Sequence, residues 1–529
     1  MAKIAPKSVD ESRPVRRPFV VPTLGGPPAR WPVQTVAAGA FLFAIALMLL
    51  SRQIGRPEAG DSAIWDYVAQ SIVRGQVPYR DVVEIKLPGA AYLSAIAIFA
   101  GKLFGIRDLI AIRLLNFAMV GSLAAFTFSV AELYLGSRPI AIISFLIPLM
   151  SQRFVEWMAE GSQPRLPMIV FGMLTLVLIA KDRPFLAGVS SALSCVCWQP
   201  GLLFAGVAFL IFSRYLTAWR DLRAIKVLAG TALPLTAMFL YFAWLGAARD
   251  LWSWTFAYTF SVYAPAGFRG VVGNAEHIWN VTSRVLGPAI VFLVLAVLGY
   301  LMVAREAFRN RRRAGSGLAG APDVYKDALL IAPLVYFMFC LIDFKSASYL
   351  IPAIPFIGIF SSLVLVMLIQ YVAAVRFGRP FVSSSSLEWL AVVAILLLAI
   401  ANAARAGLAG DRGLEQQTVE FRSISSLLSP EDQIYVHGAT EVLAVLDRPN
   451  LNPYIFLDNR KDEYLAARTP GGFKTIVDSM EAEAPKVVVL SSLNRIVHRP
   501  EFEAWVEAHY ERTAPLSREI GYDLYLRKP

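Results

Sequence analysis

Cysteine and histidine are scarce in this sequence. Its three cysteines, Cys195, Cys197 and Cys340, lie inside apolar runs, and there are only four histidines. That composition excludes a disulfide framework and gives no support to a soluble metal cluster. Cys195 and Cys197 stand two apart, a spacing that does not face them on a helix. Acidic residues are also in deficit, 39 against 50 Lys and Arg, for a net charge of +11. In so apolar a chain the excess reports cytoplasmic loops rather than a nucleic-acid partner.

Polar sequence is itself in short supply. Hydrophobic residues make up 56% of the chain and mean hydropathy is +0.54, too apolar for a soluble protein. Twelve apolar runs occur, near 34–51, 89–105, 108–131, 138–152, 166–181, 184–197, 200–216, 226–247, 286–304, 328–343, 349–369 and 388–405. Charge places the loops. Arg214, Arg220, Arg223 and Lys226 mark one as cytoplasmic, as do Arg305–Lys326, Arg376 with Arg379, and Lys181 with Arg183. The basic, Pro-rich residues 1–32 read as a disordered cytoplasmic tail, not a cleaved signal peptide. The tail after 405 falls outside, so the number of spans is odd. The conflict lies between 89 and 131. The run 89–105 is therefore expected to be re-entrant or to lie along the outer surface, leaving about eleven spans in a cytoplasmic (inner) membrane. A single broken span over 184–216 is the runner-up. The expected domains are a membrane bundle over 33–410, with its first extracytoplasmic loop at 52–107, and an extracytoplasmic domain over 411–529.

The exception to the apolar pattern in the first third is Gly60 to Gly89, GDSAIWDYVAQSIVRGQVPYRDVVEIKLPG. Ala63–Arg74 reads as an amphipathic helix, with Ile64, Val68 and Ile72 four apart. Asp61 or Ser62 suits its N-cap and Gly75 its end. Pro78 and Pro88 predict an irregular loop over Tyr79–Lys86. Helix and loop would roof a site just outside the bilayer. A second polar segment, Ala248–Gly287, reads as a loop rich in aromatics: Trp252, Trp254, Phe256, Tyr258, Phe260, Tyr263 and Trp279. It suits an interfacial belt or a wall for a sugar ring or isoprenoid tail. After about Asp411 the composition becomes ordinary. Helices are expected over Leu414–Leu428, Phe473–Glu481 and Glu501–His509, and strands at Ile434–His437, Val487–Leu490 and Tyr522–Leu526. Their alternation predicts a small α/β domain. It has no glycine-rich phosphate fingerprint, and His437, His498 and His509 show no metal spacing.

The pattern from Asp61 onward resembles the first outer loop of GT-C glycosyltransferases, multi-span enzymes that take a sugar from a polyprenyl-phosphate carrier. The likeness is to the bacterial branch related to protein O-mannosyltransferases and the lipid A aminoarabinose transferase (ArnT-like). It rests on Asp61, on Gly75-Gln76-Val77-Pro78-Tyr79-Arg80-Asp81, and on Glu84-Ile85-Lys86-Leu87-Pro88-Gly89. Leu87 departs from the pattern, which often has proline there. The resemblance implies a mainly α, polytopic GT-C-like bundle with a small C-terminal α/β domain. It implies a hexosyl or pentosyl transferase whose partners are a polyprenyl-phosphate-linked sugar, membrane lipids and an envelope acceptor, whether lipopolysaccharide, another lipid-linked glycan or protein. It also implies that Lys86 contacts the carrier phosphate.

Chemistry alone assigns related roles. Asp61 is the candidate base for an acceptor hydroxyl or phosphate, with Glu84 orienting Lys86 or the acceptor. Lys86, Arg80 and Lys345 are candidates to offset the charge growing on a departing phosphate. Tyr79 and Asp81 of the motif, with Glu160 and Gln163 in a loop where the resemblance implies an acidic residue, complete the candidate donor or acceptor contacts. Structural roles compete with each: Asp61 as a helix cap, Arg80 and Lys86 as partners of Asp81 and Glu84, Lys345 as a snorkelling cation, Glu156 and Glu160 as a solvated face with Arg153 and Arg165. No cofactor is called for. Some superfamily members hold a divalent ion on an Asp-x-Asp pair, and none occurs in these outer loops; such a metal is left open. The rival functions are a lipid-linked saccharide transporter, which would carry charge in mid-span, and a non-catalytic envelope scaffold.

Overall fold

The computed structural model describes residues 32–529 apart from 160, 215–220, 264–266, 316–324, 378–383, 410–412, 492 and 494–495. Glu160, and all but the last residue of the tail expected over 1–32, lie outside the described residues. The chain is a mainly α-helical, polytopic membrane bundle carrying a small α/β unit at its C-terminal end. Among the described residues sixteen α-helices come first: α1 (Val33–Leu50), α2 (Gly60–Val73), α3 (Gly89–Leu103), α4 (Asp108–Leu135), α5 (Arg138–Met150), α6 (Gln152–Ala159), α7 (Arg165–Ala180), α8 (Pro184–Cys197), α9 (Leu202–Ser213), α10 (Arg223–Trp244), α11 (Ala248–Trp252), α12 (Gly267–Leu286), α13 (Ile290–Gly315), α14 (Lys326–Ile342), α15 (Ile354–Phe377) and α16 (Ser384–Ala409).

Among the described residues, six helices are long and apolar enough to cross a bilayer, or seven if α5 and α6, bent by 73°, form one span. Small residues let them approach closely. A Cβ on Gly121 of α4 would stand 2.8 Å from the Phe41 ring of α1. Reaching eleven spans needs α7, α8, α9 and α14 as well, of 16, 14, 12 and 17 residues. Those are about 18–26 Å long against an apolar core of about 30 Å, so eleven remains our proposal. α3 has 15 residues, about 22 Å. It packs on α2, α4 and α8 and leaves Ile96, Phe99, Leu103 and Phe104 exposed.

The proposed topology has a direct check. Ile106→Cys, in a background with the three native cysteines replaced, is expected to react with an impermeant maleimide added to intact cells. Labelling only after permeabilisation would make α3 a crossing and overturn the count of eleven.

One expectation is corrected here. Ala248–Gly287 is helical where it is described, not a loop. α11 continues through π-helical turns at Ser253–Ala257 and Thr259–Tyr263, and α12 follows. Asn274 Nδ2 of α12 donates to the Leu341 and Ile342 carbonyls at 3.1 and 2.9 Å. It thereby satisfies carbonyls that the end of α14 leaves open. Trp254 and Tyr258 are buried, while Trp252, Phe260 and Trp279 are exposed.

The C-terminal unit holds α17 (Gly413–Ser425), β1 (Ile434–His437), α18 (Thr440–Leu446), α19 (Lys461–Ala466), α20 (Phe473–Glu483), β2 (Val487–Leu490), α21 (Arg499–His509), β3 (Tyr510–Arg512), α22 (Ala514–Ile520) and β4 (Asp523–Arg527). The sheet order is β1-β2-β4-β3, with β1 and β2 parallel and the other pairs antiparallel. β1 and β2 are buried along their whole length, as parallel strands covered by helices should be.

Candidate functional site

α2 was expected to lie flat and roof a site. It is instead the floor, and the C-terminal unit is the roof. Gln70 donates to the Ala444 carbonyl at 3.0 Å, and the Asn450 N–H donates to Tyr67 Oη at 2.7 Å. Arg74 pairs with Asp447 at 2.6 Å. Trp65 through Ser71 are accordingly buried. The sequence period was read correctly, but a second polar-edged surface covers the face left for solvent. Gly75 ends the helix in the left-handed region, φ 87°. Ala59 occupies the N-cap without a side-chain hydrogen bond. Asp61 therefore does not cap; it stands exposed in the first turn and lines a cavity.

The loop after α2 is irregular, as expected. Tyr79 takes φ 72° and its phenol donates to the Lys86 carbonyl at 2.7 Å, closing the loop on itself. Asp81 accepts the Val77 N–H at 2.8 Å and pairs with Arg80 at 2.9 Å, while Arg80 also donates to the Leu245 carbonyl at 3.1 Å. These three side chains brace the loop and line neither of the two large cavities that meet at it. Arg80 and Asp81 thus stand apart from the other candidates, while Tyr79 supports Lys86 from behind.

One cavity, about 440 Å³, is apolar. It is lined by Leu203, Val207, Phe256, Phe260 and Phe339 among others. The other, about 960 Å³, is polar and takes in Asp61, Glu84, Arg165 and Lys345. Ile85 and Lys86 line both. Lys86 lies 5.8 Å from the Trp198 ring centroid. Burial, followed by the Arg165 charge, brings its pKa down to about 8. Glu84 is 6% exposed and spends Oε1 on the Ile85 and Lys86 N–H groups at 2.8 and 2.9 Å. It thereby shapes the lysine's backbone, and its charge also favours the protonated ammonium. Gln199 holds the same segment, donating to the Ile85 carbonyl at 3.0 Å. Gly89 lets the chain pass Val196, whose backbone carbon a Cβ would meet at 2.8 Å. Lys345 pairs with Asp343 at 3.3 Å.

Arg165 is the site residue the sequence reading missed. Expected beside Glu156 on a solvated face, it is 3% exposed, while Glu156 pairs with Arg56 and Arg153 instead. Its guanidinium lies 4.6 Å from the Tyr349 centroid and 4.9 Å from that of Trp198. Gln163, a predicted site residue, accepts from it at 2.8 Å and so positions it. A cation opening an apolar run was the available signal.

A buried ionic group fixes the Gly161–Arg165 segment. Asp66 accepts the Ser162 N–H at 2.7 Å, Ser94 and Ser162 hydroxyls meet at 2.6 Å, and Asn116 donates to the Gly161 carbonyl. Glu58 pairs with Arg113 at 3.3 Å, both side chains fully buried. Burial raises both acids, Asp66 to about 6 and Glu58 well above the usual carboxylate range. Among the described residues no three His, Cys, Asp or Glu side chains gather as metal ligands.

No family model matches this sequence, and no curated protein matches it. Solved structures do. ArnT from Cupriavidus metallidurans bound to undecaprenyl phosphate is similar over 92% of this chain and 97% of its own, with TM-score 0.59 at 12% identity. The archaeal oligosaccharyltransferase AglB from Archaeoglobus fulgidus, in complex with an inhibitory peptide and a dolichol-phosphate, covers 93% of this chain over 74% of its own, with TM-score 0.51 at 12% identity. The likeness is one of fold, and the GT-C-like bundle with its C-terminal α/β unit is the fold the motif implied.

Proposed function

We propose that this protein is a membrane glycosyltransferase. It moves a hexosyl or pentosyl group from a polyprenyl-phosphate donor to an acceptor of the cell envelope: lipopolysaccharide, another lipid-linked glycan or protein. The observation that carries this reading is the position of Lys86, whose side chain stands where an apolar cavity meets a polar one. A polyprenyl phosphate has that division, an apolar chain ending in an anion. The similar ArnT structure holds undecaprenyl phosphate.

In this reading an acceptor hydroxyl attacks the anomeric carbon as its proton passes to Asp61. The bond from anomeric carbon to phosphate oxygen breaks, and its electron pair stays on the phosphate. Lys86, with Arg165 and Lys345 at the same cavity, offsets that charge. Polyprenyl phosphate is already a good leaving group, so no strong general acid is required.

The membrane orientation belongs to the same proposal. α9 runs from Leu202, which lines the apolar cavity, to Ser213, beside which Arg214 and Arg311 both pair with Asp327 at the start of α14. α14 then returns to Asp343 at the site. The arginine-rich end is opposite the cavities, which supports an orientation with the site and residues 411–529 on the outer face of the cytoplasmic membrane and 33–410 as the membrane domain.

Purified protein in detergent, given radiolabelled polyprenyl-phosphate sugars and crude envelope lipid, tests the proposal. Transfer that disappears in Asp61→Asn and Lys86→Ala is expected. Failure to bind any polyprenyl-phosphate donor would overturn it.

A further inference from the structure

The polar cavity has a second wall, built by the C-terminal unit. β1 and β2 run in parallel, His437 opposite Leu490. Their carboxyl ends bring His437, Gly438 and Ser491 to the cavity, the edge at which open parallel sheets place ligands. Gly438 has φ 71°, and a Cβ there would strike Ser491 Oγ, so the two strand ends close up only around glycine.

His437 is 2% exposed. Its Nε2 accepts the Leu457 N–H at 2.9 Å, so the neutral ring carries its proton on Nδ1. Burial keeps it neutral, pushing the pKa down to about 4. Among the described residues this Nδ1 has no hydrogen-bond partner, while Asp458 Oδ1 on the same wall faces Lys461 Nζ at 3.6 Å. A buried donor left unmade is costly and calls for an acceptor. The cations on this wall are already engaged. Lys461 Nζ sits 3.6 Å from Asp458 and 3.5 Å from the Phe456 centroid, and Arg460 pairs with Glu463 at 2.6 Å. Lys86, Arg165 and Lys345 belong to the membrane-domain wall.

We propose that this wall is the acceptor subsite and that it takes an uncharged, hydroxyl-rich ligand, a carbohydrate. One ring oxygen or hydroxyl accepts from His437 Nδ1, a hydroxyl donates to Asp458, and Ser491 supplies a further hydroxyl contact. With Lys461 paired to Asp458 and Arg460 to Glu463, the described residues of this wall present no excess of cationic charge to an anionic acceptor. The acceptor role rests on the glycosyltransferase reading; the carbohydrate site itself does not.

The test is saturation-transfer NMR on the full-length protein in detergent, titrated with neutral methyl hexosides and pentosides, and separately with undecaprenyl phosphate. His437→Gln keeps an acceptor for the Leu457 N–H and removes the Nδ1 donor. It is expected to weaken glycoside binding about tenfold and leave undecaprenyl phosphate binding unchanged. Ser491→Ala, a smaller perturbation, is expected to weaken glycoside binding in the same direction, and Lys86→Ala to show the reverse selectivity. No glycoside binding, equal binding by both wall variants, or tighter binding of a methyl glucuronide would overturn the proposal. His437-dependent glycoside binding in a protein that binds no polyprenyl phosphate would leave the carbohydrate site standing and remove the glycosyltransferase reading.

Discussion

Lys86→Ala is expected to cut sugar transfer by about a hundred- to a thousandfold, the usual effect of removing one group that stabilises developing negative charge in a shielded site. Carrier binding should fall with it, because the same ammonium meets the phosphate before and after the bond breaks. The pH dependence gives an independent signature. With a pKa of about 8 in the free protein, Lys86 is cationic below that pH and neutral above it. Above the second ionisation of the phosphate, near pH 6, undecaprenyl phosphate affinity should therefore be level up to about pH 8 and decline beyond it, by up to about tenfold per pH unit if one proton is required. A bound phosphate favours the charged amine, so the complex holds its proton to higher pH than the free protein. Lys86→Arg provides the control: whatever affinity it retains should lose this dependence, since guanidinium does not titrate in the range. Calorimetry or scintillation proximity with labelled carrier measures all of this. Unchanged carrier affinity in Lys86→Ala would remove the phosphate role.

What could be read from the sequence followed from local signals. Ile434–His437 and Val487–Leu490 are strands at the boundaries their short apolar runs suggested. The loop between Gly75 and Gly89 is irregular where its prolines and glycines interrupt it. The motif from Asp61 to Gly89 contained three cavity-lining candidates, Asp61, Glu84 and Lys86. What could not be read depends on residues far apart in the chain. Arg165 looked like a surface cation until α7, Trp198 and Tyr349 enclosed it. Arg80 and Asp81 are as prominent in the motif as Lys86, but their pairing turns them away from the cavities. α12 gave no hydropathy signal for its length and owes its docking to contacts with α14. His437 carried no spacing signal, because its significance comes from the parallel pairing of β1 with β2 and from the Leu457 N–H. Span parity likewise depends on how short helices such as α3 meet the bilayer, which length and composition alone leave open.

Asp61→Asn is the substitution that separates chemistry from binding. The side chain keeps its shape and loses its basicity. Because Ala59 holds the N-cap and Asp61 makes no cap hydrogen bond, the structural cost is confined to its charge in the first turn of α2, about 0.3–1 kcal/mol. Folding should therefore survive, with a small drop in melting temperature. Transfer should fall by about a hundred- to ten-thousandfold, the range for loss of a general base. Undecaprenyl phosphate binding should persist, since Lys86, Arg165 and Lys345 are untouched. That split, transfer lost and carrier retained, is opposite to a binding defect and is read from single-turnover transfer beside carrier titration. Asp61→Ala should lose transfer to the same extent, because it too removes the base. Transfer retained within about tenfold in Asp61→Asn would put the base elsewhere. Glu84 is then the other carboxylate of the motif that lines the cavity, but its Oε1 is committed to two backbone amides. To take a proton it would have to act through its other oxygen, and Glu84→Gln, which preserves the amide contacts, would then lose transfer while Asp61→Asn kept it.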